Sequence, residues 1–224
     1  MKIFTEEISP DRLKPLVDPA ELGFGRYYSD RMLIRRFKDG RWEDPRIVAY
    51  QNLSLDPAAR VLHYSQEIFE GLKAYAGDDG RILLFRPEEN ARRMNRSAAR
   101  MCMPGMPEEE FLACVVNLVV AEKRWIPRAA GTSLYIRPTM IGIEPALGVH
   151  PSDEYLFFII LSPVGAYFKT GFKPVRLYVE DVYVRAVPGG VGDAKTGGNY
   201  AATLLAAAKA EEKGFSQVLW LDAK

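Results

Sequence analysis

Residues 186–202 read AVPGGVGDAKTGGNYAA, and the reading of this stretch decides the organisation of the chain. Gly189, Gly190, Gly192, Gly197 and Gly198 surround a single lysine, Lys195, ahead of a helix-like run over 200–213. Glycine lets a backbone turn sharply and come close to another surface. A lysine held in such a bend can be placed rather than left in solvent. Lysine changes its pKa readily on burial, and its neutral amine can attack a carbonyl to form a Schiff base. The plainer alternative is a solvated lysine in a surface loop, since lysine is seldom fully buried.

Outward from this loop, a strand over 175–180 precedes it and a strand over 217–221 follows its helix. Residues 165–174, GAYFKTGFKP, break all periodicity with Gly165, Gly171 and Pro174 and read as a linker. They divide a domain over 1–164 from a domain that starts in 175–224. In the first of these, 32–37 and 46–50 flank a turn at Lys38, Asp39 and Gly40 and read as an antiparallel hairpin. A second hairpin pairs 71–76 with 81–85 around Gly77, Asp78, Asp79 and Gly80. Between them, LHYSQEIFEG (62–71) mixes polar and aromatic residues and suits a cleft wall as well as a core strand.

Pro87 with Glu88 and Glu89 starts a helix that should run to about Met101, proline in the first turn and acids at the positive end of the dipole. Met94, Ala98 and Met101 make its buried stripe, and Arg92, Arg96 and Arg100 form a solvated row. Arg93 sits beside the stripe and is the arginine to turn inward. A second helix opens at Pro107 and packs Phe111, Leu112, Val115, Leu118 and Val119, ending near Trp125 and Pro127. Strands over 133–140 and 154–161 follow, the latter so apolar that it should be central.

The 224 residues are 48% hydrophobic, enough for a sizeable core in one large or two modest domains. Lys plus Arg at 30 against Asp plus Glu at 29 gives a net charge of +1, so no global field points to nucleic acid or an anionic membrane. The two cysteines, Cys102 and Cys114, form no metal-ligand or disulfide pattern, which points to a reducing compartment and no metal. The start, MKIFTEEISP, has neither an apolar core nor an arginine-rich, acid-poor character, and no apolar run is long enough to span a bilayer. A cytoplasmic setting is expected.

Two chemistries compete for the lysine loop. GGVGDAKT (189–196) departs from the phosphate-binding G-x-x-x-x-G-K-[ST] pattern only at Ala194, with VLWLD (218–222) as a mock magnesium strand. Alanine is penalised where that loop needs positive φ, and Gly197 and Gly198 would weaken the helix that docks phosphate by roughly 1 kcal/mol each. The other chemistry is that of pyridoxal phosphate, which needs a lysine, a hydrogen bond to its phenolic oxygen, a cation for its phosphate and an acid at its ring nitrogen. Lys195, Tyr200 five residues on, and Arg93 offer the first three.

Six segments in one order, HYSQEIFEGLKAY (63–75), LFRPEENARRMNR (84–96), GTSLYIRP (131–138), EPALGV (144–149), SPVGAYF (162–168) and GGVGDAKTGGNY (189–200), strongly resemble the branched-chain amino-acid aminotransferases of fold type IV. The resemblance implies an α+β architecture of two domains, a small α/β N-terminal domain and a larger pseudo-barrel C-terminal domain present only in part. It implies pyridoxal 5'-phosphate as cofactor, on Lys195 as a Schiff base, with Tyr200 at the phenolic oxygen and Arg93 at the phosphate. Phe24, Tyr64, Phe69, Tyr135 and Tyr167 would line the side-chain pocket, and Arg137 would receive the second carboxylate of glutamate. The activity implied is transamination of Leu, Ile and Val with 2-oxoglutarate, as in branched-chain amino-acid biosynthesis, by a homodimer in the cytoplasm. Its partners would be small amino and 2-oxo acids, with no nucleic acid or membrane. In the family the chain continues past the strand that ends here at Leu221, into the part that carries the ring-nitrogen acid and much of the phosphate cup. The chain is therefore expected to be C-terminally incomplete, and a non-catalytic binding module is the alternative.

Overall fold

The computed structural model describes residues 1–166 and 173–223. In chain order the elements are strands β1 (Phe4–Thr5), β2 (Arg31–Lys38), β3 (Arg41–Trp42) and β4 (Arg46–Ala49), helix α1 (Arg60–Tyr64), then strands β5 (Glu67–Phe69), β6 (Leu72–Ala76) and β7 (Ile82–Leu84). Helices α2 (Pro87–Arg100) and α3 (Glu108–Ala121), strands β8 (Ser133–Gly142), β9 (Tyr155–Val164) and β10 (Leu177–Glu180), helices α4 (Gly197–Ala201) and α5 (Leu204–Glu212), and strand β11 (Gln217–Trp220) complete the described chain. No helix among the described residues is long and apolar enough to cross a membrane.

The apolar strand over 154–161 is central, as its composition predicts. β9 pairs antiparallel with β2 on one side and β8 on the other, in a mixed nine-stranded sheet ordered β1-β4-β2-β9-β8-β6-β7. Both hairpins form. The first turns on Asp39 and Gly40, whose φ of 52° and 72° supply the left-handed conformation a two-residue turn requires. β3 closes that turn, and β4 then pairs with the start of β2. β6 and β8 register Lys73 opposite Tyr135, while β5 continues along the same edge of β8 with Phe69 opposite Thr139.

The two faces of this sheet have different fates. Leu33, Leu72, Ala74, Leu134, Ile136, Met140, Phe157, Ile159 and Leu161 point to one face and are buried with Met94 and Ala98 of α2 and Phe111, Val115, Leu118 and Val119 of α3. Each such side chain fully withdrawn from water contributes about 1.5–3 kcal/mol, which fixes the helices on this face and the register of every strand. Alternation then sends Glu67, Phe69, Tyr135, Arg137, Phe158 and Ile160, all partly buried, to the opposite face. The site is on that second face.

Two local readings are corrected. Residues 62–71, read as a cleft wall or a core strand, are not a single strand: α1 ends at Tyr64, capped by Ser65 with φ of 51°, before β5. The helix read over 200–213 begins earlier and is broken, α4 starting at Gly197 and α5 at Leu204. β10 and β11 form a separate two-stranded parallel sheet with Leu177 opposite Gln217.

Candidate active site

Lys195 is held through its own backbone between strand β5 and helix α2. Its carbonyl accepts from Phe69 N–H at 3.0 Å, its N–H donates to Ser97 Oγ of α2 at 2.9 Å, and the neighbouring Thr196 hydroxyl donates to Glu67 O at 2.7 Å. Buried Asn199 closes the loop by donating to Val191 O and Ala194 O, each at 2.8 Å. The glycines serve this closure. A Cβ on Gly197 would run into Glu67 Oε1, and one on Gly192 would lie 2.5 Å from Ala186 Cβ. Of the five glycines in the loop only Gly189 has positive φ, so close approach of the chain to itself, rather than turning, is what most of them permit.

The lysine amine donates to Tyr200 Oη at 2.7 Å and lies 4.6 Å from the centre of the Phe69 ring. Burial works against ionisation of Tyr200, but the hydrogen bond and charge of Lys195, with Arg185 beyond, bring its phenol below the ordinary tyrosine pKa. Phe69 is shared. Its ring is 5.0 Å from that of Tyr200, and the Arg137 guanidinium stacks over it at 4.7 Å. Arg137 Nη2 donates to Tyr135 Oη at 2.8 Å, and the Tyr135 ring meets Phe24 edge-on at 5.0 Å. Arg137 Nε and Ser162 Oγ are buried here without a hydrogen-bond partner. Buried polar atoms are seldom left so, and their lining of this face marks it as a place for a polar ligand.

Arg93, expected to turn inward, stays largely exposed, and only its guanidinium reaches a buried carboxylate. Its Nε and Nη2 donate to Glu70 Oε1 and Oε2 at 2.6 and 2.7 Å. Glu70 is fully buried, also accepts from Asn90 Nδ2 at 2.7 Å, and raises the Arg93 pKa through these bonds. Arg93 also lines a surface recess together with Arg86 and Arg96. Arg93 lies one turn of α2 from Ser97, which accepts from the Lys195 N–H, and its partner Glu70 follows Phe69 in the chain.

Lys195, Tyr200, Phe69, Arg137, Tyr135, Phe24 and Arg93 thus converge. Tyr64 is placed elsewhere: its hydroxyl accepts from Gly148 N–H at 2.7 Å and its ring lies beside His63, steadying the segment after β8. Tyr167 lies outside the described residues. Reading the sequence missed Ser97, Asn199, Glu70 and Glu67. A small polar residue inside the apolar stripe of α2 was the available signal for Ser97, and the EIFEG segment for the two acids. A cavity of about 720 Å³ between Leu16, Leu22, Ile82 and Trp125 contains none of the candidate residues.

The amino-transferase class IV family model matches residues 67–224, well over half of the chain. The chain belongs to the class IV aminotransferases. Among its relatives, branched-chain-amino-acid transaminase 1 of Bacillus subtilis (strain 168) is 57% identical over 208 residues, 92% of this chain and 58% of that protein. The cytosolic branched-chain-amino-acid aminotransferase of Rattus norvegicus is 50% identical over 217 residues, 96% of this chain and 53% of that protein. The chain spans little more than half the length of these class IV relatives. Among solved structures, the Thermoproteus uzoniensis branched-chain aminotransferase with norvaline is 25% identical with a TM-score of 0.68, covering 86% of this chain and 60% of that one. A branched-chain amino acid aminotransferase of T.th., complexed with N-(5'-phosphopyridoxyl)-L-glutamate, is 28% identical with a TM-score of 0.69, covering 85% and 58%. The fold is accordingly the α+β fold type IV architecture, present in part.

Class IV aminotransferases of fold type IV depend on pyridoxal phosphate, and the donor set here fits that group. An amine touching a phenol suits an aldehyde ortho to an acidic hydroxyl, and a clamped guanidinium suits a phosphate. The nucleotide-loop reading is disfavoured, because the lysine amine is engaged by Tyr200 and Phe69 and the helix that follows the loop, α4, has only five residues.

Proposed function

We propose that the protein, in its full length, is a pyridoxal-phosphate-dependent transaminase of branched-chain L-amino acids (Leu, Ile, Val) with 2-oxoglutarate, yielding branched-chain 2-oxo acids and glutamate. The observation that carries this reading is Lys195 Nζ at 2.7 Å from Tyr200 Oη, on the same phenylalanine over which Arg137 stacks. Bound pyridoxal phosphate supplies the aldehyde that takes up an amine and the electron sink for charge developing at the substrate α-carbon.

The remaining work falls to this chain's residues. Lys195 Nζ holds the cofactor between turnovers and, once released, removes the proton from the substrate α-carbon as general base. Tyr200 holds the cofactor's phenolic oxygen, and Arg93, kept straight by Glu70, binds its phosphate. Phe24, Phe69 and Tyr135 form an apolar wall for a branched side chain, with Tyr167 assigned to the same pocket by resemblance. Arg137 receives a second carboxylate, so one pocket serves both partners of the exchange. The division into 1–164, a linker over 165–174 and a cofactor domain from 175, the homodimer and the cytoplasmic setting belong to the same proposal. The separate sheets on either side of the linker support the division.

The test is to reconstitute the full-length protein with pyridoxal 5'-phosphate, reduce with borohydride and map the adduct by mass spectrometry. A pyridoxyl group on Lys195 and leucine-dependent glutamate formation are expected, both lost in Lys195→Ala. An adduct on Lys169 or Lys173 overturns the assignment.

A further inference from the structure

Glu67 has no part in the chemistry above, yet its side chain faces the site. It shares a face of β5 with Phe69, opposite the buried Ile68, and this is the face on which β8 presents Arg137 and Thr139. Its carboxylate accepts from the Gly197 N–H, and its own peptide oxygen takes the Thr196 hydroxyl. It is therefore fixed between the lysine segment and Arg137, whose positive charge acts on it directly. Other charged groups around it are already engaged. Lys195 bonds Tyr200, Arg93 is clamped by Glu70, Arg100 of α2 reaches the Gly190 carbonyl, and Arg60 of α1 is paired with Glu144.

A pocket that takes both an apolar and an acidic side chain meets an electrostatic conflict. With an apolar group bound, the Arg137 charge is left in a desolvated space; with a second carboxylate bound, two anions face one cation if Glu67 is also ionised. Resting on the function proposed above, we infer that Glu67 is a specificity-determining counter-charge. It is ionised when the pocket holds an apolar side chain and takes up a proton from solvent when the pocket holds a second carboxylate. Burial already favours its protonated form, and a second carboxylate in the pocket favours it further.

This differs from a purely structural role, in which Glu67 only caps the Gly197 N–H. A glutamine oxygen accepts that bond as well, so Glu67→Gln preserves the cap and removes the charge. The experiment uses the full-length protein loaded with pyridoxal 5'-phosphate and titrates glutarate and 4-methylpentanoate by calorimetry and cofactor absorbance. Any group that senses the carboxylate common to both acids affects both alike, so the ratio of their affinities and the difference in their proton uptake isolate Glu67. In the wild type the preference for glutarate should fall about tenfold as pH rises across the range in which Glu67 ionises, and glutarate should bind with greater proton uptake than 4-methylpentanoate. In Glu67→Gln the ratio should be flat with pH, with glutarate bound about threefold to tenfold more tightly at the higher pH. A pH-independent ratio in the wild type, or the same pH dependence in Glu67→Gln, overturns the inference and leaves the proposed function intact. Failure of both acids to bind the wild type overturns both. If the variant does not fold, greater wild-type proton uptake on glutarate than on 4-methylpentanoate supports the inference, and equal uptake overturns it.

Discussion

Arg137 sits in mid-strand with its guanidinium across Phe69, one nitrogen on Tyr135 and Nε buried without a partner. Of the substrates proposed, only glutamate and 2-oxoglutarate would offer it a second carboxylate. Arg137→Gln should therefore spare the leucine half reaction and slow the glutamate one by about tenfold to a hundredfold, the worth of one charge-assisted hydrogen bond of about 1.5–3 kcal/mol. Single-turnover rates on each amino acid check this, and equal losses on both would mark Arg137 as structural. Gly197 makes a different demand, because a methyl there would overlap the Glu67 carboxylate. Gly197→Ala must expel the Glu67 side chain or shift the lysine segment. Cofactor attachment at Lys195 is expected to weaken by at least about tenfold, while Gly198→Ala, with open space at its Cβ, leaves it nearly unchanged. Cofactor titration by absorbance compares the two.

Helix α2 connects core and site. Met94 and Ala98 face the core, Ser97 receives the Lys195 N–H, Arg93 joins Glu70, and Arg100 reaches the Gly190 carbonyl. Because Glu70 is wholly buried and Arg93 is its cation, Arg93→Met leaves an unpaired carboxylate inside the protein and should cost about 3 kcal/mol in urea denaturation. Glu70→Gln combined with Arg93→Met should recover part of that loss, since no charge then remains buried. The outline of this element was legible in its sequence: Pro87 and two glutamates at its start, and an apolar stripe at helical spacing. So were the hairpins, because Asp39–Gly40 and Gly77 to Gly80 carry their turn conformations locally. What could not be read depended on contacts distant along the chain. The Ser65 reversal between α1 and β5, the break between α4 and α5, and the Glu70 clamp on Arg93 are each set by packing against other elements. The lysine, its tyrosine and the pocket arginine were legible through residue chemistry and family resemblance together. Neither indicated that Tyr64 turns to Gly148, a contact 84 residues away.

Across the whole molecule, two carboxylates give stability opposite dependences on pH. Asp30 ties three parts of the chain together, accepting from Lys14 N–H at 2.8 Å, Trp125 Nε1 at 2.8 Å and Arg124 Nη2 at 2.7 Å. Burial opposes its charge, but these bonds outweigh burial and lower its pKa below the ordinary aspartate value. The folded state then binds this proton less readily than the unfolded chain does. Its contribution is complete above the unfolded pKa and is lost as pH falls through the folded one. Glu67 has the reverse sign: burial raises its pKa more than the Gly197 N–H and Arg137 lower it, so its contribution is largest in acid and declines as pH rises through its folded pKa. Asp30→Asn should therefore flatten the acid limb of a stability curve measured by urea titration between about pH 3 and about pH 5, and lower stability at neutrality. Glu67→Gln should leave the acid limb alone and raise stability at about pH 8, because it removes a carboxylate that the fold holds ionised at a cost. A stabilised Glu67→Gln with impaired discrimination between acidic and apolar ligands would show this carboxylate to be retained for the site rather than for the fold. A destabilised variant at that pH would mean that the bond to Gly197 and the attraction of Arg137 outweigh desolvation, and that Glu67 belongs with Asp30 among the anchors of the chain.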